Sequence, residues 1–238
     1  EEAEGASLLY EAYNKYVHTG LPFLTAKFAC SLDGKIATFT GDSQWITCSE
    51  ARLQVQQMRK ATDAIMVGVN TVLCDDPRLT VRNEAGCPGS RQPLRVILDS
   101  QGRTPLGARM FSEPGKTLIA TTVPGSKMDR PSVEAICLPS DRNGRVDVSV
   151  LLEKLGERGI VSLLVEGGSE LFGALFDQQL IDKVVSYIAP IIIGGCKAPS
   201  PIGGAGVPTL NDALHLGNVR VEQLGSNVKI EGYPLRNL

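Results

Sequence analysis

The sequence is poor in the groups from which metal centres and disulfide frameworks are built. It holds only two histidines, His18 and His215, far apart, and its six cysteines (Cys30, Cys48, Cys74, Cys87, Cys137 and Cys196) include no C-x-x-C pair. Spacing therefore points to no metal site, and the thiols read as reduced. No block of one charge sign occurs. Lys and Arg number 24 against 26 Asp and Glu, a net charge of −2, which argues against a basic face for nucleic acid or an anionic membrane but leaves room for a local anion pocket. The longest apolar runs, "IVSLLV" and "YIAPIII", fall far short of the ~20 residues that span a bilayer, and the acidic opening "EEAEGASLL" is unlike a signal peptide. The expectation is a soluble, cytoplasmic protein.

What the sequence does contain is alternation. At 238 residues it can bury a full core as one domain, and short apolar runs alternate with amphipathic stretches, the pattern of an α/β fold with a mainly parallel sheet. The expected strands are "PFLTAKFAC", "KIAT", "AIMVGV", "LRVILDS", "TLIATT", "AICLP", "VSLLVE" and "VVSYIAPII". Several are apolar at nearly every position, as strands covered on both faces should be. A helix is expected after "WITC", with Thr47 and Glu50 at capping-box spacing, and it should end before Ala64. A second lies at "VSVLLEKLGERG" with Gly159 as its stop, and a third begins near Ser169. "VRVEQLGSNVKIEGY" reads as an antiparallel hairpin turning at Gly225 and Ser226. Residues 193–206, "IGGCKAPSPIGGAG", form a Gly/Pro-rich loop, functional or simply solvated. Residues 1–20 read as a helical, linker-like segment ahead of a catalytic domain over 21–238.

Three clusters carry candidate chemistry. In "LLVEGGSELFGAL" two glycines lie between a strand and a helix; they make either a phosphate cradle, with the helix N-terminus facing an anion, or a plain tight turn. It is not a Rossmann fingerprint, because the unit comes late and the position about 20 residues on, where an acid is wanted, is Tyr187. In "SLDGKIATFTGDSQWIT", Asp33 and Gly34 make a tight turn between two strands, and a polar loop delivers Ser43 and Trp45 to a helix start. Trp45, the sole tryptophan, is either a half-buried anchor or a flat wall for a base. In "NTVLCDDPRLTVR", Asp75 and Asp76 suit a turn before Pro77. Arg59, Arg78 and Arg82 read singly as surface charges, yet one phosphate can recruit an Arg from a helix, an Arg from a loop and a hydroxyl. Lys27 lies inside an apolar strand, where it either faces a ligand cavity or meets water at a sheet edge.

Taken together and in order, "PFLTAKFACSLDGKIATFTGDSQWIT", "AIMVGVNTVLCDDPRLTVR", "LRVILDS" and "LLVEGGSELFGALF" resemble the reductase domain of the bacterial bifunctional riboflavin-biosynthesis deaminase-reductases, over about Tyr13 to Tyr233. The resemblance implies a dihydrofolate-reductase-like fold, a homodimer, NADPH as cofactor, and reduction of the ribosyl group of 5-amino-6-(5-phosphoribosylamino)uracil. It places Ser43, Arg59, Leu79 and Arg82 on the substrate's phosphoribosyl end, Lys27 on the pyrimidine, and Glu166 between substrate and cofactor. For NADPH it implies Ala29, Trp45, Thr47, Thr71, Asp75, Ser100 and the turn Gly168, Ser169, Glu170 and Leu171. Asp75, Glu166 and Lys27 are the catalytic candidates. The H-x-E and P-C-x-x-C motifs of the family's zinc deaminase half do not occur, so no deamination is expected of this chain, and a deaminase would be upstream or separate. The alternatives are another reductase of this fold acting on a pterin-like or diaminopyrimidine substrate, and a non-catalytic nucleotide-binding module.

Overall fold

The computed structural model describes residues 2–83, 85–125 and 130–235, with the backbone alone for residues 2–9. In chain order the elements are α1 (Glu2–Thr19), β1 (Phe23–Ser31), α2 (Ser49–Ala61), β2 (Ala64–Gly68), α3 (Val69–Asp75), β3 (Leu94–Leu98), β4 (Thr117–Thr121), β5 (Val133–Cys137), α4 (Val148–Glu157), β6 (Ser162–Val165), α5 (Ser169–Asp177), β7 (Lys183–Ala189), β8 (Leu216–Leu224) and β9 (Asn227–Pro234). Two compact units divide the chain. The first comprises residues 1–23 and 56–165, the second residues 24–55 and 166–238. Neither is a contiguous piece of sequence.

In the first unit β5, β4, β3, β2 and β6 lie side by side in that order, all parallel. β2 and β4 are apolar or small throughout and buried at nearly every position, as strands with both faces covered must be. Ile65, Val67, Ile97, Ile119 and Leu164 from four of these strands pack with Val69 and Val72 of α3 and with Met110 and Phe111. Burial of each such side chain stabilises by about 1.5–3 kcal/mol. α4 begins where Asp147 accepts the N–H groups of Ser149 and Val150, and it ends at Glu157, where Gly159 takes φ +75° as its stop.

The second unit is the mixed part. β1 pairs with β7 in parallel, and β7, β9 and β8 then run antiparallel, with β8 and β9 joined at Gly225 and Ser226 as expected. Asp177 closes α5, and Gly173 within it is required by a close approach: a Cβ there would lie 2.5 Å from the Gly203 carbonyl carbon. The Gly/Pro-rich loop is thus seated on α5, not simply solvated.

Two local expectations are corrected, and one helix was not foreseen. "KIAT" is no strand: after Gly34 (φ +72°) its Lys35 carbonyl turns back to the Ser31 N–H, and Ile36 donates to Pro199 of the loop. Asp33 and Gly34 therefore turn β1 into an irregular segment instead of a second strand. Thr47 does not cap α2; the helix begins at Ser49, after Cys48 is fixed by donating its N–H to Asn227 Oδ1 at 2.7 Å. The Glu50 carboxylate instead accepts from Ser49 Oγ. Finally, "GVNTVLCDD" holds the short helix α3, unmarked by any apolar period in a stretch of seven residues.

Candidate functional site

The structure sorts the candidate residues into two sets, one per unit. In the first unit, α2 carries Arg59 and the segment after α3 carries Leu79 and Arg82. The segment is shaped at its start by Asp76 (φ +39°), whose N–H returns to Val72 while its Oδ1 accepts the N–H of Arg109 at 2.8 Å. Leu79 also has positive φ, +52°, a conformation that costs a leucine about 1–2 kcal/mol and is held here by a side chain only 3% exposed. Arg59 Nη1 donates to the Thr80 carbonyl at 3.2 Å, and Gln56 Oε1, one turn earlier on α2, accepts the Arg82 N–H at 2.9 Å. Helix and segment are thereby stitched together at the arginines.

The electrostatics of this set are unusual. Burial, and then the like charges of Arg59, Arg78 and Arg109, hold the Arg82 guanidinium below its ordinary pKa. Its Nε is buried and has no hydrogen-bond partner, and neither has Oγ1 of Thr80, two residues before. Unpaired buried donors are rare in proteins, and one inside a cluster of cations is a place for an anion. Arg78 is bridged to Glu113, Nε to Oε1 at 3.3 Å. Thr71 lies half-buried on α3, with Asp75 half-buried at its end. Ser100 follows β3 and is engaged in the fold: its Oγ accepts the Val146 N–H, and its carbonyl accepts from Thr122 Oγ1.

In the second unit, Lys27 and Ala29 stand half-buried on β1. Nζ of Lys27 lies 5.6 Å from the ring centroid of Tyr187, a cation–π geometry. Tyr187 is 1% exposed and donates to Gln54 Oε1 at 3.2 Å; burial pushes its pKa up, reinforced by the charges of Glu222, Glu231 and Glu166. Lys27 and Glu166 thus act on one aromatic side chain. Ser43 and Thr47 are half-buried in the loop before α2, and the Thr47 carbonyl accepts from Arg52 Nη1 at 2.7 Å. Trp45 is 69% exposed, so the half-buried anchor is excluded; the Arg52 guanidinium lies over its ring, 5.0 Å from the centroid.

The turn at Gly168 opens α5 with no side chain capping the helix. Leu171 is buried and its N–H returns to the Gly168 carbonyl, whereas Glu170 is exposed and Ser169 half-buried. Gly167 permits the turn to close, since a Cβ there would meet Leu171 Cδ2 at 2.7 Å, and Gly203 lies against Ser169, donating its N–H to the Ser169 carbonyl at 2.9 Å. A helix N-terminus without a side-chain cap, beside glycines that admit close approach, and an exposed indole in the same unit fit a nicotinamide cofactor. Among the described residues no group of three or more His, Cys, Asp or Glu is arranged to hold a metal ion, and no helix is long and apolar enough to cross a membrane.

Sequence reasoning overlooked Glu113, Arg109 and Arg95. Arg95, on β3, is 1% exposed; its Nε donates to Thr117 Oγ1 and its Nη2 to the Gly115 carbonyl, while Nη1 has no partner. A charged residue in "PLRVIL" was the available signal, of the same kind that singled out Lys27.

Residues 22–230 match the model of the RibD C-terminal domain. The riboflavin biosynthesis protein RibD of Actinobacillus pleuropneumoniae is 39% identical over 233 residues, 96% of this chain but 61% of that protein. A 2,5-diamino-6-ribosylamino-4(3H)-pyrimidinone 5′-phosphate reductase of Methanothermobacter thermautotrophicus is also 39% identical, over 88% of this chain and 97% of its own. A solved structure of RibD from Acinetobacter baumannii superposes with TM-score 0.83 at 30% identity, covering 97% of this chain and 63% of that one. At the level of fold alone, a dihydrofolate reductase from Enterococcus faecalis aligns over 90% of this chain and 97% of its own with TM-score 0.50 at 12% identity. The chain thus spans about three fifths of the length of the RibD proteins it matches.

Proposed function

The chain belongs to the family of RibD C-terminal domains, and on that premise we propose that it is an NADPH-dependent reductase of riboflavin biosynthesis. Its reaction on this reading is reduction of the ribosyl group of 5-amino-6-(5-phosphoribosylamino)uracil to a ribityl chain, with hydride delivered to C1′. The observation that carries the reading is the arginine cluster with the unpartnered Nε of Arg82, which suits a phosphate and which a pterin-like substrate would not need.

Arg59, Arg82, Leu79 and Ser43 hold the phosphoribosyl end, the two guanidiniums donating to phosphate oxygens. Lys27, kept in place against Tyr187, donates to a pyrimidine carbonyl oxygen. NADPH, when bound, supplies the hydride. Trp45 offers its ring face to the cofactor, Ala29 and Thr47 border it, and the turn from Gly168 to Leu171 presents backbone N–H groups to its phosphates. Thr71, Asp75 and Ser100 complete the cofactor contacts. Opening of the ribose ring needs a proton moved at the ring oxygen, a task for Glu166 or Asp75. Binding energy gathered at the phosphate fixes C1′ for reaction without itself taking part. The same reading makes the protein a cytoplasmic homodimer that works with a deaminase encoded upstream or separately.

Arg59→Ala should raise KM for the phosphorylated substrate by about one to two orders of magnitude and leave the Kd for NADPH unchanged; equal loss of both would overturn the assignment. A second reading has its own support. The Methanothermobacter relative, as similar as the RibD relative and almost fully covered, is named for the diaminopyrimidinone. Assay of both substrates with NADPH decides between them. Lys27 favours the uracil, because a cation donates to a carbonyl oxygen and is poorly matched to an amino group. NADPH binding without oxidation in the presence of either substrate would leave a non-catalytic nucleotide-binding module.

A further inference from the structure

The arginine cluster has more positive charge than one phosphate requires, and a carboxylate stands among its members. Glu113 follows the short 3₁₀ turn Arg109–Ser112, whose first residue is tied by its N–H to the Asp76 carboxylate. Its Oε1 lies 3.3 Å from Arg78 Nε, with the Glu113 side chain 15% exposed and that of Arg78 38%. The carboxylate also acts on Arg82 and on the buried Arg95. As a stabilising device the pair is unremarkable, since partly exposed ion pairs are worth about 0–1 kcal/mol. Its position is what matters: it neutralises one of the four guanidinium charges, those of Arg59, Arg78, Arg82 and Arg109, gathered where Arg82 Nε is buried without a partner.

We propose that Glu113 is a specificity-determining residue of this arginine cluster, an internal counter-ion that engages Arg78 and weakens the cluster's field. A bare phosphate ion is then held only loosely, and a phosphate is retained when the molecule carrying it makes further contacts. The inference rests on the assignment of Arg59 and Arg82 to phosphate. Without the carboxylate, the cluster gains one unit of positive charge and Arg78 becomes available as a further donor. Both changes favour any phosphate, whatever it is attached to, so selectivity falls as affinity rises.

The test measures inorganic phosphate as a ligand, by calorimetry and as an inhibitor of reduction, for the wild type and for Glu113→Gln, Glu113→Asp and Arg59→Ala. In Glu113→Gln the phosphate Kd should fall by about tenfold and depend more steeply on salt. KM for the phosphorylated substrate should fall with it, and kcat should not rise. Glu113→Asp should stay near the wild type, and the Kd for NADPH should be constant across the series. If Glu113→Gln binds phosphate with unchanged or weaker affinity while Arg59→Ala binds it more weakly, Glu113 merely orients Arg78 and the inference is overturned although the phosphate assignment stands. If Arg59→Ala leaves phosphate affinity intact, the assignment fails and the inference with it. Loss of NADPH binding in Glu113→Gln would mark a damaged fold; the Glu113→Asp and Arg78→Gln variants then decide, the proposal requiring that Arg78→Gln not bind phosphate more tightly than the wild type.

Discussion

The two units are shaped by different physics. The first uses charge on long side chains, held by bonds such as Arg59 Nη1 to the Thr80 carbonyl, and it leaves a guanidinium N–H buried without a partner. The second uses backbone: Gly173 lets the loop backbone at Gly203 approach α5 to a distance that a Cβ would forbid, and Gly167 and Gly203 leave room for the side chains of Leu171 and Ser169 beside a helix start that no side chain caps. Charge gives attraction that salt can screen. Backbone geometry gives a shape that salt leaves alone.

The sharpest way to break this contrast is Arg82→Ala. Removal of a charge-assisted donor, of order 1.5–3 kcal/mol, should raise KM for the phosphorylated substrate by roughly 10- to 150-fold. The defect should shrink at high ionic strength, because the wild type also loses affinity there. Steady-state kinetics at two salt concentrations check both parts, and a salt-independent defect would contradict the account of the first unit. Gly173→Val is the counterpart in the second. Overpacking against the Gly203 backbone should lower stability by about 1–3 kcal/mol in urea unfolding, with NADPH affinity reduced and no dependence on salt. Asp147→Ala provides a control within the first unit. Loss of the α4 cap should cost about 1 kcal/mol and leave KM and NADPH affinity as they were, so that stability and phosphate binding are separable there.

The same contrast explains what could be read from sequence. Seven of the eight expected strands form, because buried strands announce themselves as apolar runs, whereas Arg59 and Arg82 read singly as surface charges and only the resemblance to a known family made them candidate phosphate ligands. "KIAT" failed because its residues suit a strand while its hydrogen-bond partners, the Ser31 N–H and the Pro199 carbonyl, belong to the end of β1 and to a distant loop. Glu113 lies in "FSEPGK", where nothing local distinguishes it from a solvated glutamate; its contact with Arg78 is made by the fold. The role of Gly173 was equally hidden, since a glycine within a helix looks like a weakness until the segment packed against it is known. Residues that act through their own chemistry were visible, and those that act through a neighbour 30 or more positions away were not.

Asp33 puts the contrast under its finest test, because in the second unit even a carboxylate serves the backbone. Its Oδ1 accepts from Ser31 Oγ at 2.6 Å and from the Ile193 N–H at 3.0 Å, and its Oδ2 from the Gly194 N–H at 2.7 Å. These bonds, that of Ser31 first, hold its pKa at about 2, below the ordinary 3.8. A depressed folded-state pKa stabilises fully above the ordinary value, and the contribution is lost as pH falls from about 4 towards 2. The carboxylate is exposed, so the effect should be local to the start of the Gly/Pro-rich loop. Amide-exchange protection factors of Ile193 and Gly194 should therefore fall selectively over that window, with β2 and β4 unchanged, and Asp33→Asn should show the low-pH values already at neutral pH. Protection that is independent of pH, or that rises on acidification, would mean that the loop is held by its packing on α5 through Gly173 and Gly203 and not by this charge.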